Sequence, residues 1–189
     1  MHTRFLFVLF SCCLLLSSCI ITNTPGFYSG YKKLTPQQKE KVVFVDTNRH
    51  TALPQYDENK LVAITANHLH ELLQKNDTSV VYVWKPHCPA PSCLPLSTVY
   101  DYCQQHRYQL YVVLEYYSDM DNTLLQISER YHVYSINYKY YKTDYCPKYV
   151  NRFVKQMVKG YKIPKSADYF RYYFFKQDRY IGSKEKLNG

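Results

Sequence analysis

Two stretches limit the fold before anything else does. Ser79–Trp84 reads Ser-Val-Val-Tyr-Val-Trp, and Gln109–Tyr117 is apolar at nearly every position. A strand with one wet face alternates apolar and polar residues. Short β-branched runs without that alternation suit strands buried on both faces of a sheet. A sheet covered on both sides needs helices between its strands. The intervals supply them. Leu69, Leu72 and Leu73 sit at helical spacing within 66–75, and Leu96, Val99, Tyr100 and Cys103 repeat at i, i+3, i+4 and i+7. Met120–Tyr131 carries Leu124, Leu125 and Ile127, and Tyr145–Tyr161 carries Val150, Phe153, Val154, Met157 and Val158, with Gly160 near its end. Further strands are expected at Lys41–Asp46 and Val133–Tyr138, while Leu61–Thr65 reads as a strand or as the run into a helix. Phe170–Phe175 and Arg179–Ile181 flank Lys176-Gln177-Asp178 as a hairpin. The order predicts an α/β fold with a central mixed sheet flanked by helices and a C-terminal β-hairpin.

The N-terminus bears on the compartment. Arg4 precedes an apolar run from Phe5 to Leu16, and Leu16-Ser17-Ser18-Cys19 closes it with small residues before a cysteine. This resembles the lipobox of bacterial lipoproteins. The resemblance implies a signal peptide over residues 1–18, cleavage before Cys19, and lipid on that thiol and on the new amino terminus. Residues 19–40 then read as a lipid-anchored tether, with turn chemistry at Thr22-Asn23-Thr24-Pro25-Gly26 and a short capped helix at Thr35-Pro36-Gln37-Gln38. Residues 41–189 form one domain, in keeping with a chain of 189 residues. The implied location is the bacterial cell envelope. Ile20 stands after the cysteine in place of the aspartate that resembles an inner-membrane retention signal, which points to the outer membrane, facing the periplasm. The formal charge of +9 would suit nucleic acid, anionic lipid or acidic partners. In an envelope compartment nucleic acid drops out, and the membrane, through lipid on Cys19, remains.

Four cysteines follow Cys19: Cys88, Cys93, Cys103 and Cys146. An oxidising compartment lets disulfides persist. Two of the four lie in Trp84-Lys85-Pro86-His87-Cys88-Pro89-Ala90-Pro91-Ser92-Cys93, where a buried strand hands over to an amphipathic helix. The unpaired N–H groups and partial positive charge at that helix's N-terminus favour a thiolate, although a start near Ser92 puts Cys88 about a turn outside their reach. The thiolate is the attacking species in disulfide exchange. His87, when protonated, would add to that effect.

On these residues the chain resembles the thioredoxin-like superfamily, in particular the lipoprotein thioredoxins of bacterial envelopes. Val80–Trp84 is similar to the strand before the family's active site, Leu96–Tyr100 to the following helix, Tyr108–Tyr117 to the next central strand, and Phe170–Gly182 to the closing hairpin. The resemblance spans about residues 61–183. It implies that Cys88 is a nucleophile and Cys93 a resolving cysteine, with Trp84 walling the site and His87 modulating it. It further implies envelope proteins bearing thiols or disulfides as partners, and no organic cofactor. Three departures accompany it. The cysteines are spaced Cys-x4-Cys, where the family has two intervening residues. Ala167-Asp168-Tyr169 stands where the family places a cis-proline. Residues 135–161 lengthen the chain and bring in Cys146. Two readings therefore stand together: a redox-active pair, and a non-catalytic binding or assembly lipoprotein whose Cys88–Cys93 bridge is structural.

His87, Cys88, Cys93, Cys103 and His106 are zinc-type ligands, but no ligand-pair spacing repeats and no metal site is assigned. Cys103 falls on an apolar helix face and reads as a small buried hydrophobe. Cys146 is either a free thiol or a partner for Cys103. His68 and His70 read as ordinary polar helix positions, and Glu115, Asp119, Asp121 and Glu129 as a solvated surface. The chain has 22 tyrosines. Those between Tyr131 and Tyr149 suit a wet surface, or a face that binds peptide or carbohydrate.

Overall fold

In the computed structural model, residues 26–46, 53–55, 57, 59–127, 130–161 and 170–187 are described. The signal peptide, Cys19, Glu129 and the stretch Ala167-Asp168-Tyr169 lie outside these residues.

Seven strands form one mixed sheet. They are β1 (Val42–Phe44), β2 (Leu61–Ile64), β3 (Thr78–Trp84), β4 (Gln109–Leu114), β5 (His132–Ile136), β6 (Tyr172–Lys176) and β7 (Arg179–Lys184). Their spatial order is β1-β2-β5-β4-β3-β6-β7. β1, β2, β5, β4 and β3 run parallel to one another, β6 pairs antiparallel with β3, and β7 pairs antiparallel with β6. The two runs that set the fold class occupy its centre: β3 is buried from Ser79 to Trp84 and β4 from Leu110 to Leu114. The hairpin forms where expected, with Gln177 taking a left-handed φ of 50° in its two-residue turn.

Among the described residues, five α-helices accompany the sheet: α1 (Pro36–Glu40), α2 (Ala66–Leu73), α3 (Leu96–Gln105), α4 (Met120–Leu125) and α5 (Cys146–Met157). α1 carries the expected threonine cap, with Thr35 accepting from the Gln38 backbone N–H and the Gln38 side chain accepting in return from Thr35. The crossover β2–α2–β3 moves one way along the sheet, while β3–α3–β4 and β4–α4–β5 move the other. Right-handed crossovers therefore place α2 on one face and α3 and α4 on the opposite face. α5, which makes up much of 135–161, packs against α2.

Three features differ from the sequence reading. Leu61–Ile64 is a strand. α4 ends at Leu125, well short of Tyr131. α3 begins at Leu96, not near Ser92, with Pro95 as its N-cap. The residue before a proline is pushed out of helical conformation, so Leu94 cannot lie within the helix.

Residues 26–40 are packed against the domain. Phe27–Gly30 lies between the loop after β4 and the loop before α5. Tyr117 N–H donates to Ser29 O at 2.7 Å, Ser29 N–H to Asp144 O at 2.9 Å, and Cys146 N–H to Phe27 O at 3.0 Å. Ser29 is fully buried, and its hydroxyl donates to the Asp144 carboxylate. The connections from β4 and β5, adjacent strands, leave toward opposite faces. Such a divergence opens a crevice at the carboxyl ends of the strands, and this segment fills it.

Candidate functional site

The loop between β3 and α3 sits at the carboxyl end of the sheet. Cys88 and Cys93 form a disulfide there, with Cα atoms 5.9 Å apart. Both cysteines are half-buried, and His87, Pro89, Ala90 and Pro91 around them are exposed. Cys93 N–H donates to Ala90 O at 2.9 Å, closing a turn inside the ring. α3 starts three residues past Cys93, so the fourfold N–H array of its first turn lies beyond both sulfurs. The field of a helix terminus fades within one turn. The start at Leu96 thus removes Cys88 further from the helix terminus than a start near Ser92 would.

Three tyrosines hold the loop from below, on both flanks of the bridge. Tyr116 donates to Pro86 O at 2.7 Å, Tyr172 to Ser92 O at 2.8 Å, and Tyr82 to Leu94 O at 3.0 Å. Tyr172 Oη also accepts from Leu94 N–H at 3.4 Å. Tyr82 and Tyr172 stack with centroids 4.8 Å apart, one on β3 and the other opposite it on β6. Burial raises both phenols above their ordinary value, so they stay protonated donors at neutral pH. Tyr172→Phe leaves Ser92 O and Leu94 N–H without these partners. It is expected to cost about 1–3 kcal/mol and to speed hydrogen exchange at the Leu94 amide, while the disulfide survives.

His87 has a left-handed φ of 55°, and so does Asp119 at 49°, the residue before α4. Their side chains meet, His87 Nε2 to Asp119 Oδ2 at 3.3 Å, and tie the cysteine loop to the loop after β4. Two bulkier residues in this conformation cost energy that their surroundings must offset. Trp84, at the end of β3, is 6% exposed and belongs to the core. Its carbonyl accepts from Glu115 N–H at 2.9 Å.

Glu115 is the functional-looking residue that the sequence reading misplaced. It is buried, not solvated, and pairs with Arg171 in a charge-assisted hydrogen bond. Burial pushes its carboxyl up, against the lowering influence of Arg171 and Lys85. The Tyr149 hydroxyl donates to Glu115 O, and Cys146 lies beside the same carbonyl. A signal was available: a lone carboxylate inside the run Leu110–Tyr117 and a lone guanidinium opening the run Tyr172–Phe175 are each costly unless paired.

The other sequence candidates separate. Cys103 and Cys146 are free, both buried, and not bonded to each other. Burial pushes each thiol up to about 12, which leaves them unreactive at neutral pH. Cys103 is core, as expected. His106 stacks on Tyr102 at 4.1 Å and bonds Tyr102 O at 2.8 Å. Cys103 and the bonded pair are thus not brought together as a ligand set, and among the described residues no three metal-ligating side chains cluster. His68 and His70 are not ordinary polar positions. Both are buried, because α2 is covered by the sheet on one side and by α5 on the other. His68 caps its own helix through Thr65 Oγ1 at 2.9 Å, and desolvation lowers both imidazoles.

No family model, no curated protein and no solved structure matches this chain. Among the described residues, no helix is long and apolar enough to cross a membrane. The chemistry of the site therefore carries the functional argument.

Proposed function

We propose that this protein is a lipid-anchored thiol–disulfide exchange protein of thioredoxin-like fold, acting on envelope proteins through Cys88 and Cys93. The observation that carries the reading is a half-exposed disulfide in a loop that tyrosine hydrogen bonds hold as well. Closing a six-residue ring contributes on the order of 2 kcal/mol. Three tyrosine hydrogen bonds of about 1 kcal/mol each hold the same loop. Opening the bridge thus leaves both cysteines where they were, ready to close again. The fold assignment rests on the order β3, cysteine loop, α3, β4, with the β6–β7 hairpin closing the sheet through β6, antiparallel to β3.

In the reducing direction, the Cys88 thiolate attacks one sulfur of a substrate disulfide. The substrate S–S bond breaks, the Cys88–substrate bond forms, and the other substrate sulfur leaves as a thiolate that takes up a proton. The Cys93 thiolate then attacks Cys88 Sγ and releases the second substrate thiol. Two electrons pass to the substrate, and Cys88–Cys93 is the oxidised product. Run backwards, the bridge oxidises a substrate dithiol.

The late start of α3 favours a second reading, in which the bridge is inert and the protein is a binding or assembly lipoprotein. The reduction potential separates the two. Equilibration with glutathione, read by thiol trapping and mass spectrometry, is expected to give a reversible couple between about −120 and −270 mV. Cys88→Ser and Cys93→Ser each abolish exchange. A couple below about −300 mV, or a bridge that reductant does not reach, assigns the protein to the second reading.

A further inference from the structure

We propose that the face formed by α5 and the loop before it docks on an anionic phospholipid surface. Between residues 137 and 157 the chain carries five basic side chains, Lys139, Lys142, Lys148, Arg152 and Lys155, and a single acid, Asp144. That acid is already engaged, by Lys32 at 3.4 Å and by Ser29. Lys148, Arg152 and Lys155 follow one another at i, i+4 and i+7 along the exposed side of α5. With Tyr145, Pro147 and Asn151 they line a shallow depression of about 350 Å³ that contains no carboxylate. A depression walled by three cations suits a phosphate-bearing headgroup.

Aromatic rings distinguish a lipid surface from an acidic protein here. Tyr140 and Tyr145, 37% and 39% exposed, belong to the loop before α5, and Tyr28, 42% exposed, pairs with Tyr145. Tyr28 bridges to Tyr145 through the backbone, and the Phe27 ring meets both at 5.0 and 5.1 Å. Tyrosine beside lysine is the composition found at headgroup level, where the ring is apolar and its hydroxyl wet.

The chain also reaches the membrane from this side. Phe27 is held against Cys146, at the first turn of α5. Only six residues lie between Cys19 and Gly26, a span of at most about 25 Å over seven steps of chain. This orientation rests on the proposed lipidation at Cys19; the charge and the aromatic patch do not. Gly26 packs near Tyr116 and Lys85, at the foot of the cysteine loop. The exchange site would then work close to the bilayer, on partners at its surface.

The test uses a chain beginning at residue 20, which lacks the lipidated thiol and keeps every described residue of the fold. It is sedimented with vesicles of phosphatidylcholine alone, and of phosphatidylcholine with phosphatidylglycerol at about 2:1. Binding is expected only with phosphatidylglycerol, and lost at about 0.5 M salt, where screening is short-ranged. Lys148→Gln, Arg152→Gln and Lys155→Gln together should lower the partition coefficient roughly a hundredfold. Lys75→Gln, Lys176→Gln and Arg179→Gln, around the β6–β7 turn and outside the depression, should leave it unchanged. Should the first triple variant lose its far-ultraviolet dichroism, Lys155→Glu alone carries the comparison. No preference for phosphatidylglycerol, or an equal loss in both triple variants, overturns the proposal. Palmitate labelling of the full chain, with Cys19→Ser as control, tests the anchor separately: an unlabelled chain with vesicle binding intact overturns the anchor and not the face.

Discussion

Arg171→Ala should destabilise the fold by about 3–5 kcal/mol at neutral pH, the range for removing one member of a buried ion pair. The Glu115 carboxylate is then left without its cation, beneath the loops that carry the candidate site. The pH dependence identifies the cause. Glu115 already titrates above its ordinary value of 4.5 in the folded protein, because burial outweighs Arg171 and Lys85. In the window above 4.5 the folded chain thus holds more of this proton than the unfolded chain. Stability from this group is full below the window and falls as pH rises through the folded value. Removing Arg171 takes away a lowering influence and widens the window. The deficit of the variant should therefore be smaller near pH 5 than near pH 8. Urea melts of both proteins at the two pH values measure it. Glu115→Leu with Arg171→Met, which removes both charges, should recover most of the loss. A deficit that does not change with pH would mean that the arginine acts through packing alone.

The framework of this fold was legible because it rests on local patterns. Val80–Trp84 and Leu110–Leu114 lack alternation, and this places them at the centre of a covered sheet before any contact is known. Tyr172–Lys176 and Arg179–Lys184 announce a hairpin through the short polar turn between them. What the chain conceals depends on contacts between distant residues. Ser29 is buried only because Tyr117 and Asp144 take up its backbone groups, and nothing in Thr-Pro-Gly-Phe-Tyr-Ser tells a packed segment from a free tether. The start of α3 was within reach. Serine is a good helix cap, but Pro95 bars Leu94 from the helix, and that local rule outweighs the cap.

The candidate site divides along the same line. The cysteine pair and its place between strand and helix are sequence features. The tyrosines that hold it are not, because 22 tyrosines offer no means of choosing Tyr82, Tyr116 and Tyr172. They are selected by register: Tyr82 faces Tyr172 across the β3–β6 pair, so their hydroxyls emerge together under the loop. The basic face of α5 was half visible. Lysine and arginine at helical spacing mark a solvated side, but the approach of Phe27 and Tyr28 to the start of that helix is a matter of tertiary structure.

Gly30→Ala should be the most damaging glycine-to-alanine change among the described residues. Gly30 has a φ of +77°, and a Cβ there would overlap the carbonyl oxygen of Tyr117. The left-handed backbone alone costs alanine about 1 kcal/mol. Overlap with a backbone atom adds about 1–3 kcal/mol, since no side chain can turn aside to relieve it. The expected loss is about 3 kcal/mol. It should be accompanied by faster hydrogen exchange at Tyr117, whose N–H donates to the neighbouring Ser29 carbonyl at 2.7 Å. Two other glycines separate the contributions. Gly160 has a similar φ of +82° with open space around it, so Gly160→Ala should show the backbone cost without the overlap. Gly182, on β7, has neither constraint, and Gly182→Ala should be close to neutral. If Gly30→Ala costs no more than Gly160→Ala, then Phe27–Gly30 leaves the crevice without strain, and the segment is a removable cover over the carboxyl ends of the strands. A loss well beyond that of Gly160→Ala makes it part of the fold, and fixes the direction from which the chain reaches the cysteine loop.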